Sequence, residues 1–378
     1  MNKREYQQCT RCVMDTTDPQ IEFDEKGQCN HCNNFFSVKQ KYVFDHTKGE
    51  KDFEILLNRI KQDGKGKEYD CVAGISGGID SSYVAYICKQ NGLRVLGVHM
   101  DNGWNSEEAN LNIKNITRKL DIDYESYVLD WEEFKDLQLS FLKAAVPEAE
   151  TPTDVAIAGA LHKVAAKYGI KYIISGGNMV TEGILPKTWH YNAKDLKYMN
   201  AIHDKFGKVK LRNFPTFTYM EEIFHKLVKG TRMLYILGFY VPYNKDEAMA
   251  LLKEKLDWKY YGGKHYESRY TGFIQSYYLF EKFGIDYRRA MLSSQICTGQ
   301  VTREEALEIL KTKPYNQERV DADKQYISKK LGISLPEFEE LLRIPGKYYF
   351  EYPNSEKFLN FIYTMYRRIY KKEKLASV

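Results

Sequence analysis

The stretch that most narrows the possible folds is Ser76-Gly77-Gly78-Ile79-Asp80-Ser81-Ser82, set between an apolar run and a helical pattern. The preceding Cys71-Val72-Ala73-Gly74-Ile75 reads as a buried strand, and Ser81 to Asn91 as a helix with Gly92 placed to cap its end. A glycine-rich turn from strand to helix lets backbone N–H groups converge on an anion, and the helix N-terminus adds its partial positive charge. The hydroxyls of Ser76, Ser81 and Ser82 supply further donors. An aspartate among phosphate-facing donors implies a Mg²⁺ ion bridging Asp80 to the ligand. No lysine follows the second glycine and no Gly-x-Gly-x-x-Gly pattern occurs, which excludes the two commonest nucleotide loops.

Around this turn, short apolar runs alternate with helical segments. Strands are expected over residues 69–75, 94–99, 124–129 and 171–175, and helices over 81–91, 107–120, 131–145 and 154–168, with Gly169 as another cap. The pattern predicts an α/β fold with a doubly wound, mostly parallel sheet. In such sheets ligands sit at the carboxyl ends of the strands, so Asp80, Asp101 and the Ser175-Gly176-Gly177-Asn178 turn should share one crevice. Thr153 and Asp154, after Pro152, are expected to cap a helix. Beyond Pro215 the strand signal fades and helical signals dominate, including the capping boxes Thr302 to Glu305 and Ser334 to Glu337. Residues 260–269 are too glycine-rich and polar for a core helix and read as a loop. Three units follow: 1–45, 53–215 and a mainly helical 216–378, with the polar stretch 45–52 as a linker.

Of 7 cysteines, Cys9, Cys12, Cys29 and Cys32 fall in the first 32 residues, in a C-x2-C-x16-C-x2-C pattern. Two such knuckles supply the tetrahedral Cys₄ shell of a structural zinc, with an iron–sulfur cluster as the alternative occupant. A unit this small buries too little apolar surface to be stable alone, and a bound metal would supply the missing stability. His31 could replace a thiolate, but four cysteines already complete the shell. The odd, front-loaded count argues against a disulfide framework and for a reducing compartment.

Lys+Arg total 56 against Asp+Glu 51, a net charge of +5 that suits anionic small molecules better than a dedicated nucleic-acid surface. The apolar run 233–241 is far short of the roughly 20 residues that span a bilayer. The opening residues carry no apolar signal segment, so a cytoplasmic address is expected.

The seven residues of the glycine turn match the signature of the PP-loop ATP pyrophosphatases, which grip the pyrophosphate of ATP and cleave between its α and β phosphates. With both motifs in hand, the chain resembles the N-acetyl sugar amidotransferases of bacterial surface-polysaccharide (lipopolysaccharide O-antigen) biosynthesis, a PP-loop family with a zinc-binding N-terminus. The resemblance runs through Cys9 to Pro19, Phe23 to Cys29, the PP-loop and Asp101-Asn102-Gly103-Trp104. It continues through Ser175 to Asn178 with Glu182, Tyr261 to Arg269, and Thr298 to Ala306. It implies an enzyme that converts an acetamido group of a nucleotide-activated sugar into an acetamidino group, using ATP and ammonia from a separate glutaminase subunit. The residues agree with that division of labour: Cys71, Cys88 and Cys297 lie in no setting suited to a glutaminase nucleophile.

On this reading Ser76, Gly77, Gly78, Asp80, Ser81 and Ser82 bind pyrophosphate, with Asp80 also holding Mg²⁺. His99, Met100, Asp101 and Gly176 complete the ATP site. Glu182 is expected to orient ammonia or bind a metal, and Lys264 and His265 to carry catalytic or transition-state charge. Trp104, Asn178, Trp189, His190, Lys264, His265 and Arg269 are expected to line the sugar pocket, while Arg288 and Arg289 are expected to be solvated. Aromatic faces of Tyr260, Tyr261, Tyr266 and Tyr270 could pack on sugar or base. Two other readings stay open: a PP-loop enzyme that modifies tRNA by thiolation, and a zinc-ribbon scaffold that binds nucleotide without catalysis.

Overall fold

The computed structural model describes residues 5–37, 39–43, 46–263 and 265–370. At its centre is a five-stranded, all-parallel sheet of β1 (Cys71–Gly74), β2 (Val95–Asp101), β3 (Asp123–Val128), β4 (Tyr172–Ser175) and β5 (Arg232–Tyr235). The strand order is β3-β2-β1-β4-β5. Chain direction across the sheet therefore reverses between β1 and β4, whose register pairs Val72 with Ile173. A crevice opens at such a switch point beyond the strand ends. β1 and β2 are covered on both faces and read as near-continuous apolar runs, whereas the edge strand β3 is largely exposed.

The helices that matter to the crevice are α1 (Asn30–Ser37), α2 (His46–Asp63), α3 (Ile79–Gln90), α4 (Glu107–Lys119), α5 (Trp131–Ala144) and α6 (Thr151–Lys167). One face of the sheet packs on α2, α3, α4 and the helix Lys245–Leu256, through Ile60, Val84, Ile116 and Leu252 among others. On the opposite face, Leu161, Val164 and Ala165 of α6 meet Val72, Leu96 and Ile173. Gly92 and Gly169 have φ of +70° and +62°, the left-handed values expected of residues just past a helix. Both anticipated capping boxes form, at Thr302 with Glu305 and at Ser334 with Glu337.

Three sequence expectations are corrected here. The stretch expected to link the first two units is instead helical from residue 46, as the first turns of α2. β5 lies beyond Pro215, so the third segment contributes a strand to the sheet; its Arg232-Met233-Leu234-Tyr235 was hidden among helical signals. The helix before β4 begins at Thr151 with Glu150 at its N-cap, and neither Thr153 nor Asp154 caps it. No helix among the described residues is long and apolar enough to cross a membrane.

Candidate functional site

The glycine turn connects β1 to α3 at the switch point. Gly77 adopts φ +80°, and a β-carbon there would lie 2.4 Å from the carbonyl oxygen of Ala109. Only glycine satisfies both constraints. Its own carbonyl accepts hydrogen bonds from Asn112 Nδ2 (3.1 Å) and the Trp258 indole (2.9 Å), so the turn is anchored from two distant segments. Ser76 Oγ and Ser81 Oγ lie 3.0 Å apart across the turn, and the Gly78 N–H donates to Ser76 Oγ. Ser82 departs from expectation: it is fully buried and its hydroxyl donates to the Gly78 carbonyl, closing the first turn of α3 rather than facing a phosphate.

The turn after β4 closes directly on this cradle. A β-carbon on Gly176 would lie 2.9 Å from the Ser81 nitrogen and 3.2 Å from Asp80 Cβ, so the two loops touch across the switch point. Asn178 caps the short helix Met179–Glu182 through Oδ1, and its Nδ2 is buried with no hydrogen-bond partner among the described residues. The Asn178 N–H donates to Glu182 Oε2 at 3.4 Å. Asp80 accepts a hydrogen bond from the Tyr243 hydroxyl. Burial, and then the Asp80 charge, push the Tyr243 hydroxyl well above its ordinary pKa, so it remains a donor.

A C-terminal loop covers the cradle. Ser106 N–H donates to the Glu267 carbonyl (2.8 Å), Asn105 and Ser268 form an antiparallel bridge, and Arg269 N–H donates to the Trp104 carbonyl (2.9 Å). This pairing carries the Glu267 side chain over the PP-loop, where Oε1 would lie 3.1 Å from a β-carbon on Gly78. Tyr261 joins the same corner, its hydroxyl accepting from the Ile79 N–H at 3.3 Å. His265, at φ +61°, sits 3.6 Å from Glu267. Burial opposes ionisation of Glu267, but the His265 hydrogen bond and charge outweigh it and hold its pKa below the usual range.

His190 lies 3.7 Å from Asp154. Desolvation raises the Asp154 pKa; His190 and His265 offset this in part and Glu182 reinforces it. Glu150 accepts from Thr271 (2.7 Å), and burial pushes its pKa up to about 8. Asp80, Asp154, Glu182 and Glu267 thus bring four carboxylates to the crevice, with His190 and His265 as their counterweights. The Trp189 indole N–H and Glu267 Oε2 are buried with no hydrogen-bond partner among the described residues. Tyr243 and Glu267 were not singled out as site residues by sequence reasoning, because each reaches the crevice through tertiary pairing, whereas Asp154 was read as a helix cap.

Other expected site residues are used structurally. Trp104 is fully buried, donates to Gln138 and stacks on Tyr270 at 5.1 Å, so it belongs to the core rather than to a sugar pocket. Arg269 pairs with Asp323 at 2.5 Å and lies over Tyr326. His99 and Met100 are buried; His99 bridges the Ile75 carbonyl and Asn105, and burial lowers its pKa. Asp101 accepts from the Gly103 N–H and shapes the turn after β2. Tyr266 packs under Arg319. Arg288 pairs with Asp286 and Arg289 with Asp15, rather than being solvated. Lys264 lies outside the described residues.

The four N-terminal cysteines converge. Their Sγ atoms all lie within 4.8 Å of one another, with the pairs Cys9–Cys32, Cys12–Cys29 and Cys29–Cys32 each at 3.6 Å. Tetrahedral zinc with Zn–S bonds near 2.3 Å requires S–S edges of about 3.8 Å. All four are buried, and backbone N–H groups of Arg11, Cys12 and Met14 point at the sulfurs. The cluster therefore fits zinc, and His31 is engaged elsewhere, on Asp18 at 2.6 Å. Arg303 fastens the unit to the C-terminal segment through the carbonyls of Cys9 (3.0 Å) and Cys12 (3.1 Å).

Residues 53–151 match the NAD synthase family model, and residues 267–369 match the family described as "LPS biosynthesis protein WbpG-like, C-terminal domain". The central domain has an NAD synthase-like PP-loop fold. Among curated proteins, the tRNA-specific 2-thiouridylase MnmA of Helicobacter pylori is 26% identical over 163 residues, 41% of this chain and 44% of that protein. MnmA 1 of Aliarcobacter butzleri is 29% identical over 167 residues, 40% and 46% of the two chains. The chain thus spans less than half the length of these curated relatives. Two solved structures, NMN synthetase from Francisella tularensis and NH3-dependent NAD synthetase from Campylobacter jejuni, each align at 14% identity and a TM-score of 0.33. Each alignment covers 77% of this chain and 98% of the other.

Proposed function

We propose that the chain is an ATP-dependent amidotransferase that converts the N-acetyl group of a nucleotide-activated sugar into an acetamidino group, using ammonia from a separate glutaminase subunit. One observation carries the reading. The WbpG-like match begins at Glu267, and that residue stands over Gly78 of the glycine turn, which supports a reading in which the two matched segments serve one reaction.

An amide carbon is a poor electrophile, and its oxygen leaves only when activated. The acetamido oxygen attacks the α-phosphorus of ATP, the bond to the bridging oxygen breaks, and pyrophosphate departs toward the PP-loop N–H groups and the hydroxyls of Ser76 and Ser81. Ammonia then adds to the imidate carbon and AMP leaves with the C–O bonding pair. The proton shed by the attacking nitrogen passes to Asp154 or Glu182; burial raises the pKa of Asp154 and so makes it a better proton acceptor than an ordinary carboxylate. Asp80 with the adjacent serine hydroxyls is a hard oxygen donor set that fits Mg²⁺, and the crowd of carboxylates would otherwise repel a polyphosphate. When bound, that ion neutralises charge on the departing pyrophosphate.

The curated relatives named as tRNA thiouridylases favour a second reading, thiolation. Against it, Cys71 and Cys88 are buried in strand and helix, burial pushes Cys297 up to about 12, and thiolation needs an accessible thiolate.

The deciding experiment supplies ATP, Mg²⁺, ammonium and a panel of nucleotide-linked diacetamido sugars. The expected result is AMP and pyrophosphate release, with a product in which NH replaces one acetamido oxygen by mass spectrometry. Failure with every sugar, together with Asp80→Asn behaving like wild type, would sink the amidotransferase reading; salt-sensitive tRNA binding would favour the alternative.

A further inference from the structure

One face exposes large apolar side chains on two abutting helices. On the helical stretch Tyr219–Phe224 and its continuation His225–Lys229, Met220, Leu227 and Val228 are 65%, 69% and 66% exposed. On the helix Glu356–Tyr370, Phe358, Phe361 and Met365 are 62%, 63% and 42% exposed. The spacing of each set forms a stripe along its helix, while Leu359 is turned inward and buried. The two helices meet where the rings of Tyr219 and Tyr363 contact edge to face at 5.1 Å. Single exposed apolar residues are ordinary, but two adjoining stripes of them mark an interaction surface.

The charge around the stripes indicates the partner. Lys229, Arg232, Lys357 and Arg368 are all exposed at their margins. The nearby acids have partners within the chain: Glu221 closes the Thr218 capping box, Glu222 pairs with Lys194, and Glu356 with Lys187. A protein interface, although enriched in aromatic residues, methionine and arginine, is depleted in lysine. Leucine, valine, methionine and phenylalanine bordered by lysine and arginine are instead the composition of a helix lying in a bilayer interface.

We propose that this face binds the surface of an anionic lipid bilayer, its apolar stripes entering the headgroup–acyl boundary while the flanking cations meet lipid phosphates. This goes beyond the catalytic reading and does not depend on it.

The test is co-flotation of the full chain with vesicles of phosphatidylcholine alone or mixed with phosphatidylglycerol. Binding is expected to the mixed vesicles, to weaken as salt is raised, and to be slight with phosphatidylcholine alone. The double variant Leu227→Glu/Phe361→Glu should bind at least ~10-fold less while keeping its circular dichroism and melting temperature, since both side chains are solvent-exposed. Ile309→Glu, which removes an exposed apolar residue elsewhere, should bind like wild type. The proposal is overturned by absence of binding to mixed vesicles at low salt, or by equal loss in the Ile309 control. It is also overturned if the wild type is a dimer that the double variant dissociates and lipid is not bound, which would make the face a protein interface.

Discussion

Glu267 and Gly78 are 189 positions apart in sequence, yet the carboxylate of one would lie 3.1 Å from a β-carbon on the other. On the proposed function, the negative charge sits where a polyphosphate would arrive. Metal-free ATP should therefore be repelled, by about 1 kcal/mol at 4 Å in a water-like medium and about 4 at an effective dielectric near 20. Glu267→Gln is expected to tighten metal-free ATP roughly 5-fold or more while lowering turnover with MgATP. Calorimetric titration with and without a chelator checks this, and unchanged metal-free affinity would refute it.

Gly176 makes the contact between the two loops of the crevice. Gly176→Ala drives a methyl group to within 2.9 Å of the Ser81 backbone nitrogen, so α3 or the β4 turn must shift. ATP affinity should fall at least ~10-fold, with a loss of about 1–3 kcal/mol in stability. Gly74→Ala is the contrast: its β-carbon meets only Leu161, at 3.5 Å, and should leave binding near wild type. Similar affinities for the two variants would show that the loops do not depend on close approach.

The sulfur cluster should hold one zinc ion per chain. Cys29→Ser is expected to lose the metal and, with it, the docking that Arg303 provides through the Cys9 and Cys12 carbonyls. The melting temperature should drop by several degrees, since metal binding in such units contributes directly to folding. Elemental analysis beside thermal unfolding would reveal the failure, which is a variant that keeps both its metal and its stability.

Glu148 is 2% exposed, and burial pushes its pKa up to about 7 although Tyr198 donates to it at 3.1 Å. Because the folded pKa lies above that of the unfolded chain, near 4.3, the native state holds the proton more tightly. Its contribution to stability is complete below about pH 4 and declines as pH rises, until it levels off above about 7. The loss is on the order of 3 kcal/mol. Glu148→Gln should remove this dependence, so the variant loses less stability than wild type between pH 5 and about 8 in urea titrations. Parallel pH profiles would contradict the assignment.

The features legible in the sequence are those encoded by neighbours. The cysteine knuckles and the glycine turn declare themselves through spacing, and the strands and helices flanking the turn through apolar periodicity. The acids and tyrosines of the crevice do not. Tyr243 meets Asp80 across 163 positions, and Glu267 arrives through backbone pairing with the Asn105–Ser106 segment, an arrangement that leaves no local pattern. Trp104 and Arg269 erred in the other direction. An aromatic and a cation within motif-like segments invite assignment to a ligand, but Trp104 is spent on Tyr270 and Gln138, and Arg269 on Asp323.

The pairing of the Glu267 loop with Trp104 to Ser106 also bears on synthesis of the chain. β5 enters the sheet only after residue 232 and the cover reaches the cradle only at Glu267. A nascent polypeptide emerging from the ribosome thus carries an open, uncovered nucleotide loop until more than two-thirds of it has been translated. Fragments that end before Glu267 should accordingly lack the cover over the glycine turn.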